Sequence, residues 1–318
     1  MSTFFVMLKN VIIFVLLAIP GYLLVRSKQL KIQDSGALTK MLTHVGVPFM
    51  VLTSTLNVSL TGEFVLSIVE IGILGVLFTL LMFLLTAFLT NGEKKKQGMM
   101  RFCMIFANNG FLGIPLVKAV FGDSPVLSYL IIINIITNVL MFTIGVYLIS
   151  GDKKQINVKR ALLNPVLIAF VLGIILNLLG IQNVLPITDY STFFSGIVTP
   201  LSMTILGIKM ASVRFRDLFT KWGMYYVSSV RLIIFPLLGT AVLFTMNVFF
   251  PITEDMLIGF LIAFACPTAG LAPTFSDQFN GDTENAVSYT LGTTILSVFT
   301  IPLLYWMLKI LLDNLIVV

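Results

Sequence analysis

Two short stretches carry the side chains best suited to chemistry: Phe106-Ala-Asn-Asn-Gly-Phe-Leu-Gly-Ile-Pro115 and Phe264-Ala-Cys-Pro-Thr-Ala-Gly-Leu-Ala-Pro273. Both set glycine, proline and polar groups inside an apolar run, and such a set holds a ligand rather than transforming one. Covalent catalysis needs a nucleophile beside a base, and metal catalysis needs a ligand set. This chain has one histidine, two cysteines without metal spacing, and no Gly-x-Ser-x-Gly, His-Glu-x-x-His or Walker motif. No enzymatic activity, no cofactor and no metal is therefore expected. The carboxamides of Asn108 and Asn109 both donate and accept, so they can fix a substrate carboxylate or hydroxyl. Their alternative roles are capping a half-helix and joining two spans. Gly110, Pro115, Cys266, Pro267 and Thr268 complete the candidate substrate-binding set. Thr268 occupies the corresponding register of the second stretch, with packing as its other role.

Ionisable side chains inside apolar segments are the next candidates, because burying charge in lipid is costly. Arg231 lies nine residues into such a segment, where it can either draw an anion or balance Glu70. Lys118, one turn past Pro115, can attract an anion or extend to the interface. His44, the single histidine, can act as a proton relay or as a hydrogen-bonded packing residue. Coupling to sodium or to protons stays open.

The elements that position these residues are membrane spans. The chain is 58% hydrophobic and 11% charged, with mean hydropathy +1.03, and apolar runs of roughly 20 residues recur along it. Ten spans are expected, over residues 3–25, 38–57, 64–90, 99–121, 126–150, 161–180, 193–210, 222–250, 256–275 and 287–312. The first lacks a small-residue cleavage site and so remains a span. The net charge of +6 does not point to nucleic acid, because 16 of the 20 basic residues flank the odd-numbered loops. They are Arg26, Lys28, Lys31 and Lys40; Lys94, Lys95, Lys96 and Arg101; Lys153, Lys154, Lys159 and Arg160; Lys209, Arg214, Arg216 and Lys221. Positive residues mark the cytoplasmic side, so both termini are expected outside the cell membrane.

An internal repeat joins the two stretches. Phe106-Ala107 recurs as Phe264-Ala265, Pro115 as Pro273, Gly122-Asp123 as Gly281-Asp282 and Ser128-Tyr129 as Ser288-Tyr289, at an offset of 158 to 160 positions. With five spans in each half, 1–150 and 151–318, the halves insert upside down relative to each other. In such transporters the site lies at the repeat interface, where broken helices meet near the midplane. At ~1.5 Å per residue, Asn108–Gly110 lie ~10–14 Å into the membrane, and Cys266 and Pro267 reach a similar depth from the other side. Half-helix N-termini there suit an anionic group, and unwound carbonyls suit a cation.

The run Asn108 to Gly122, Asn-Asn-Gly-Phe-Leu-Gly-Ile-Pro-Leu-Val-Lys-Ala-Val-Phe-Gly, resembles the fourth-span motif of the auxin efflux carrier (PIN-like) family, and Pro267 to Asn280 resembles its ninth-span region. Ala107 stands where the plant carriers favour proline, and no long cytoplasmic loop separates the halves, as in bacterial members. The resemblance implies a fold shared with the bile-acid sodium symporters. Spans 1, 2, 6 and 7 would form a scaffold, and spans 3–5 and 8–10 a transport core with crossed, broken spans 4 and 9. It further implies transport of a small organic anion, a mono- or dicarboxylate that is auxin-like or malate- or malonate-like. A homodimer is compatible with it. An anion channel and a sodium-coupled bile-acid-type symporter are the alternatives.

Overall fold

The computed structural model describes residues 3–57, 61–156, 159, 163–181, 186–211, 220–247 and 251–316. Arg160, Arg214 and Arg216, with residues 161–162 and 248–250 of the expected sixth and eighth spans, lie outside the described residues. The described chain is mainly helical, and within it the only β-type pairing is one isolated antiparallel bridge. Five helical stretches are long and apolar enough to cross a bilayer: Gly62–Leu89, Pro125–Ser150, Ile187–Met210, Trp222–Met246 and Thr283–Asn314. The remaining apolar segments are divided into shorter helices, and their divisions coincide with proline, glycine or paired backbone.

In chain order, α1 (Thr3–Leu16) and α2 (Ile19–Arg26) follow one another, then α3 (Ser35–Met41) and α4 (Val47–Leu56). Next come α5 (Gly62–Leu89), α6 (Lys94–Ile105), α7 (Ile114–Phe121), α8 (Pro125–Leu140) and α9 (Val146–Ser150). The rest of the chain forms α10 (Pro165–Leu178), α11 (Ile187–Gly196), α12 (Val198–Met210), α13 (Trp222–Ser229) and α14 (Phe235–Met246). It closes with α15 (Glu254–Ala265), α16 (Ala272–Gln278) and α17 (Thr283–Ile316). Three of the helix starts, those of α5, α10 and α15, carry side-chain caps. Thr61 accepts from Phe64 N and Thr253 from Met256 N, each at 3.2 Å, and Asn164 accepts from Val166 N at 2.9 Å. Each satisfies a donor that a helix start leaves without an intrahelical acceptor.

Four joints are wide π turns: Leu42–Gly46, Asn109–Gly113, Met141–Gly145 and Val230–Ile234. Three of them are followed two residues later by proline, at Pro48, Pro115 and Pro236. A proline ring collides with the carbonyl four residues back, and widening the turn moves that carbonyl aside without ending the helix. The sequence thereby produces bent helices whose backbone stays internally bonded.

Packing divides the elements. Helix α4 packs on α10 and α11, and α2 packs on α12. Elsewhere α8 packs against α5 and α15, α14 against α15, and α17 against α13, α15 and α16. The α2–α12 crossing is backbone to backbone, because a Cβ at Gly207 would collide with the Ala18 carbonyl and one at Gly21 with the Thr204 carbonyl. Small residues at such crossings are how membrane helices approach closely. The core behind the site is aromatic, with the Phe78, Phe260 and Phe264 rings 4.5 to 5.5 Å apart.

Candidate functional site

Helices α6 and α15 both stop in the interior, and the reason differs. Cys266 precedes Pro267, and the residue before a proline is driven to extended backbone; its φ of −60° and ψ of 146° are those of a polyproline turn. No proline follows Ile105. There the chain is drawn out of the helix by pairing with the first interruption's counterpart. Asn108 N donates to Pro267 O at 2.7 Å, and Ala269 N donates to Phe106 O at 2.8 Å. These two bonds make the antiparallel bridge between Ala107 and Thr268. Ala107 thus keeps the break through its neighbours' bonds to the other segment.

Exposed polar backbone in an apolar interior must find partners, and here it does. Asn108 O accepts from Leu112 N at 3.1 Å and Gly113 N at 3.2 Å. Thr268 donates its hydroxyl to Cys103 O at 2.8 Å, and its N–H donates to Thr293 Oγ1 at 3.1 Å. The fully buried Arg231 serves four further carbonyls. Its Nε donates to Cys266 O at 2.9 Å, its Nη1 to Ile105 O at 2.9 Å and Met104 O at 3.2 Å, and its Nη2 to Ala263 O at 3.5 Å. Glu70 is not its partner. The ion pair considered from sequence gives way to carbonyls that the two interruptions free and that no sequence pattern marks.

Beside the crossing lies a cavity of about 560 Å³. From the first interruption Asn108, Gly110 and Phe111 line it, and from the second Ala269, Gly270 and Leu271. Asn134 and Asn138 of α8 add two further amides, with Asn138 Nδ2 donating to Asn134 Oδ1 at 3.2 Å. Phe142, Met141 and Phe275 form apolar wall, and Lys40, His44, Asn164, Thr274 and Gln278 line the remainder. Gly110 and Phe111 open the continuous helical stretch Asn109–Phe121. The first N–H groups of such a stretch have no intrahelical acceptor and attract negative charge. Among the described residues no Asp or Glu lines the cavity. The lining thus combines amides, a lysine and a helix start with an apolar wall.

The sequence candidates divide accordingly. Asn108, Gly110 and His44 come together at the cavity. Cys266, Pro267 and Thr268 are buried and build the crossing, while Pro115 is buried in α7. Asn109 is fully buried, and neither its Nδ2 nor its Oδ1 has a hydrogen-bond partner. The imidazole Nδ1 of His44 lies 3.0 Å from Lys40 O and 2.9 Å from Thr43 Oγ1. Lys118 pairs with Asp123 at 3.3 Å, and Asp123 also accepts from Asn57 Nδ2 at 3.1 Å. Both bonds lie away from the cavity.

Three contributors escaped the sequence reading. Asn134 and Asn138 stand at i and i+4 on one helix face within an otherwise apolar run, a signal that was open to view. Lys209 reads as a loop cation, yet its Nζ donates to Gly270 O at 3.0 Å and ties α12 to the second interruption.

The profile of the family described as membrane transport protein matches residues 5–162 and 154–305. The chain is also 28% identical over 303 residues to an uncharacterized transporter of Methanothermobacter thermautotrophicus, covering 93% of this chain and 96% of that one.

Proposed function

The chain belongs to the membrane transport protein family, that of the auxin efflux carriers, and from that premise we propose that it is a secondary carrier for a small organic anion. The observation that carries the reading is the cavity at the paired interruptions, where Asn108, Asn134, Asn138 and the opening residues of a helix converge and, among the described residues, no carboxylate intrudes. A volume of about 560 Å³ falls within the range of small-molecule sites, ~300–1,000 Å³. It takes a mono- or dicarboxylate, with room beside the phenylalanines for an apolar body.

The finer architecture of the proposal is ten spans in two inverted halves, 1–150 and 151–318, with spans 4 and 9 crossing. The antiparallel sense of the bridge supports opposite chain directions at the crossing. The packing of α2, α4, α10, α11 and α12 among themselves supports a scaffold of spans 1, 2, 6 and 7. Spans 3–5 and 8–10 are then the moving core. Lys40, Asn164 and Gln278 lie beside loops one, five and nine, on the basic side, so the cavity opens toward the cytoplasm and the conformation is inward-facing. The carrier sits in the cell inner membrane with both termini outside, and works by exposing the crossing alternately to either side.

The test is transport by the purified protein in liposomes against a panel of mono- and dicarboxylates. A carrier gives saturable flux that is accelerated by unlabelled substrate on the opposite side. Flux that rises linearly with concentration and shows no counterflow would identify a channel instead.

A further inference from the structure

Arg231 sits where transporters built on broken helices ordinarily need a cation. Helices α6 and α15 end within the interior, and a helix C-terminus presents unpaired carbonyls and a partial negative charge. Two such ends brought together repel each other and require positive charge between them; in transporters of this design unwound carbonyls and half-helix C-termini coordinate sodium or protons. Here the acceptors are Met104 and Ile105 at the end of α6, Ala263 in the last turn of α15, and Cys266 just beyond it. One guanidinium reaches all four, and its side chain is fully buried. It comes from a third element, the π turn Val230–Ile234, which Pro236 enforces two residues after the turn ends.

We propose that Arg231 is the built-in cation of the crossing. Its guanidinium is covalently anchored in the position a bound metal ion would take between the two helix ends, so the crossing draws no sodium from solution to hold together. For transport this rests on the carrier reading, and its consequence is that the anion moves without sodium bound at the crossing. As a statement about the crossing alone it stands independently of the cargo. The planar fork suits the task better than an ammonium, because its donors are fixed in directions that match several carbonyls at once.

The experiment is a melting series on the purified full-length protein with no cargo added, so failure of the carboxylate assay and failure of this inference are separate results. Wild-type protein is compared in sodium chloride and in choline chloride of equal ionic strength, and the same Tm is expected in both. Arg231→Ala leaves four carbonyls around an emptied space. It is expected to melt lower and to regain Tm with guanidinium chloride at low millimolar concentration, which leaves the wild type unchanged. Arg231→Met fills the space without charge and is expected to melt low and to respond to no cation. A sodium-dependent rise in wild-type Tm would overturn the proposal, as would an Arg231→Met protein as stable as the wild type. If Arg231→Ala yields no folded protein, the sodium and choline comparison and Arg231→Met still decide.

Discussion

Asn108 does two jobs with different atoms. Its backbone N–H holds Pro267 O across the crossing, and its side chain faces the cavity. Asn108→Ala keeps the first and removes the second, so folding is expected to survive while cargo binding falls. A hydrogen bond to a charged group contributes ~1.5–3 kcal/mol, which corresponds to roughly a 10- to 100-fold loss of apparent affinity. The check is the concentration dependence of uptake beside an unchanged Tm. Asn138→Leu is expected to weaken uptake less, since Asn134 keeps its place in the wall, and paired dose curves measure the difference. Composition and spacing single out Asn108, because an amide within a glycine- and proline-bearing apolar run has few structural uses, and the structure places it in the cavity wall. Arg231 was legible as important but not in its role. Its partners are main-chain carbonyls, which every residue carries, so only the location of the breaks could reveal them.

Helices in this chain are shaped by how proline is absorbed. Pro48, Pro115 and Pro236 each follow a wide turn, and each turn delivers a polar side chain: His44 to the cavity, Asn109 to the interior, and Arg231 to the crossing. Sequence reading locates such prolines but does not tell a break from a bulge. The outcome depends on whether the freed carbonyl finds a donor within its own helix or must borrow one from elsewhere. The other decisive element is the α2–α12 contact. Gly207→Leu puts a side chain where the Ala18 carbonyl now lies, forcing the helices apart. Overpacking of this kind costs ~1–3 kcal/mol or more. A lowered Tm is the expected readout, while Gly36→Leu, with open space around its Cβ position, is expected to leave Tm unchanged.

Across the whole molecule, the proposed orientation rests on the distribution of charge, and the proposed inward-facing state on the residues around the cavity. Lys95 and Glu63 are both exposed, at opposite ends of α5's neighbourhood in the expected topology, and the native Cys103 and Cys266 are buried. Lys95→Cys is therefore expected to react with an impermeant maleimide only from the cytoplasmic side, and Glu63→Cys only from outside. The reverse pattern would invert the account of access. Membrane class was readable because lipid penalises charge, and glycine, proline and amides drew attention to the stretches where α6 and α15 end. The cavity was not readable, because it is assembled from α3, α8, α10 and the two interruptions, which are far apart in the chain. The central claim is that this chamber holds the cargo, and protection of a chamber residue tests it most directly. Thr274 lines the cavity and is exposed within it. Thr274→Cys is expected to react with maleimide from the cytoplasmic side, and a carboxylate that the protein transports is expected to slow that reaction in a saturable way. Unchanged labelling in the presence of a carboxylate that is being transported would contradict the account.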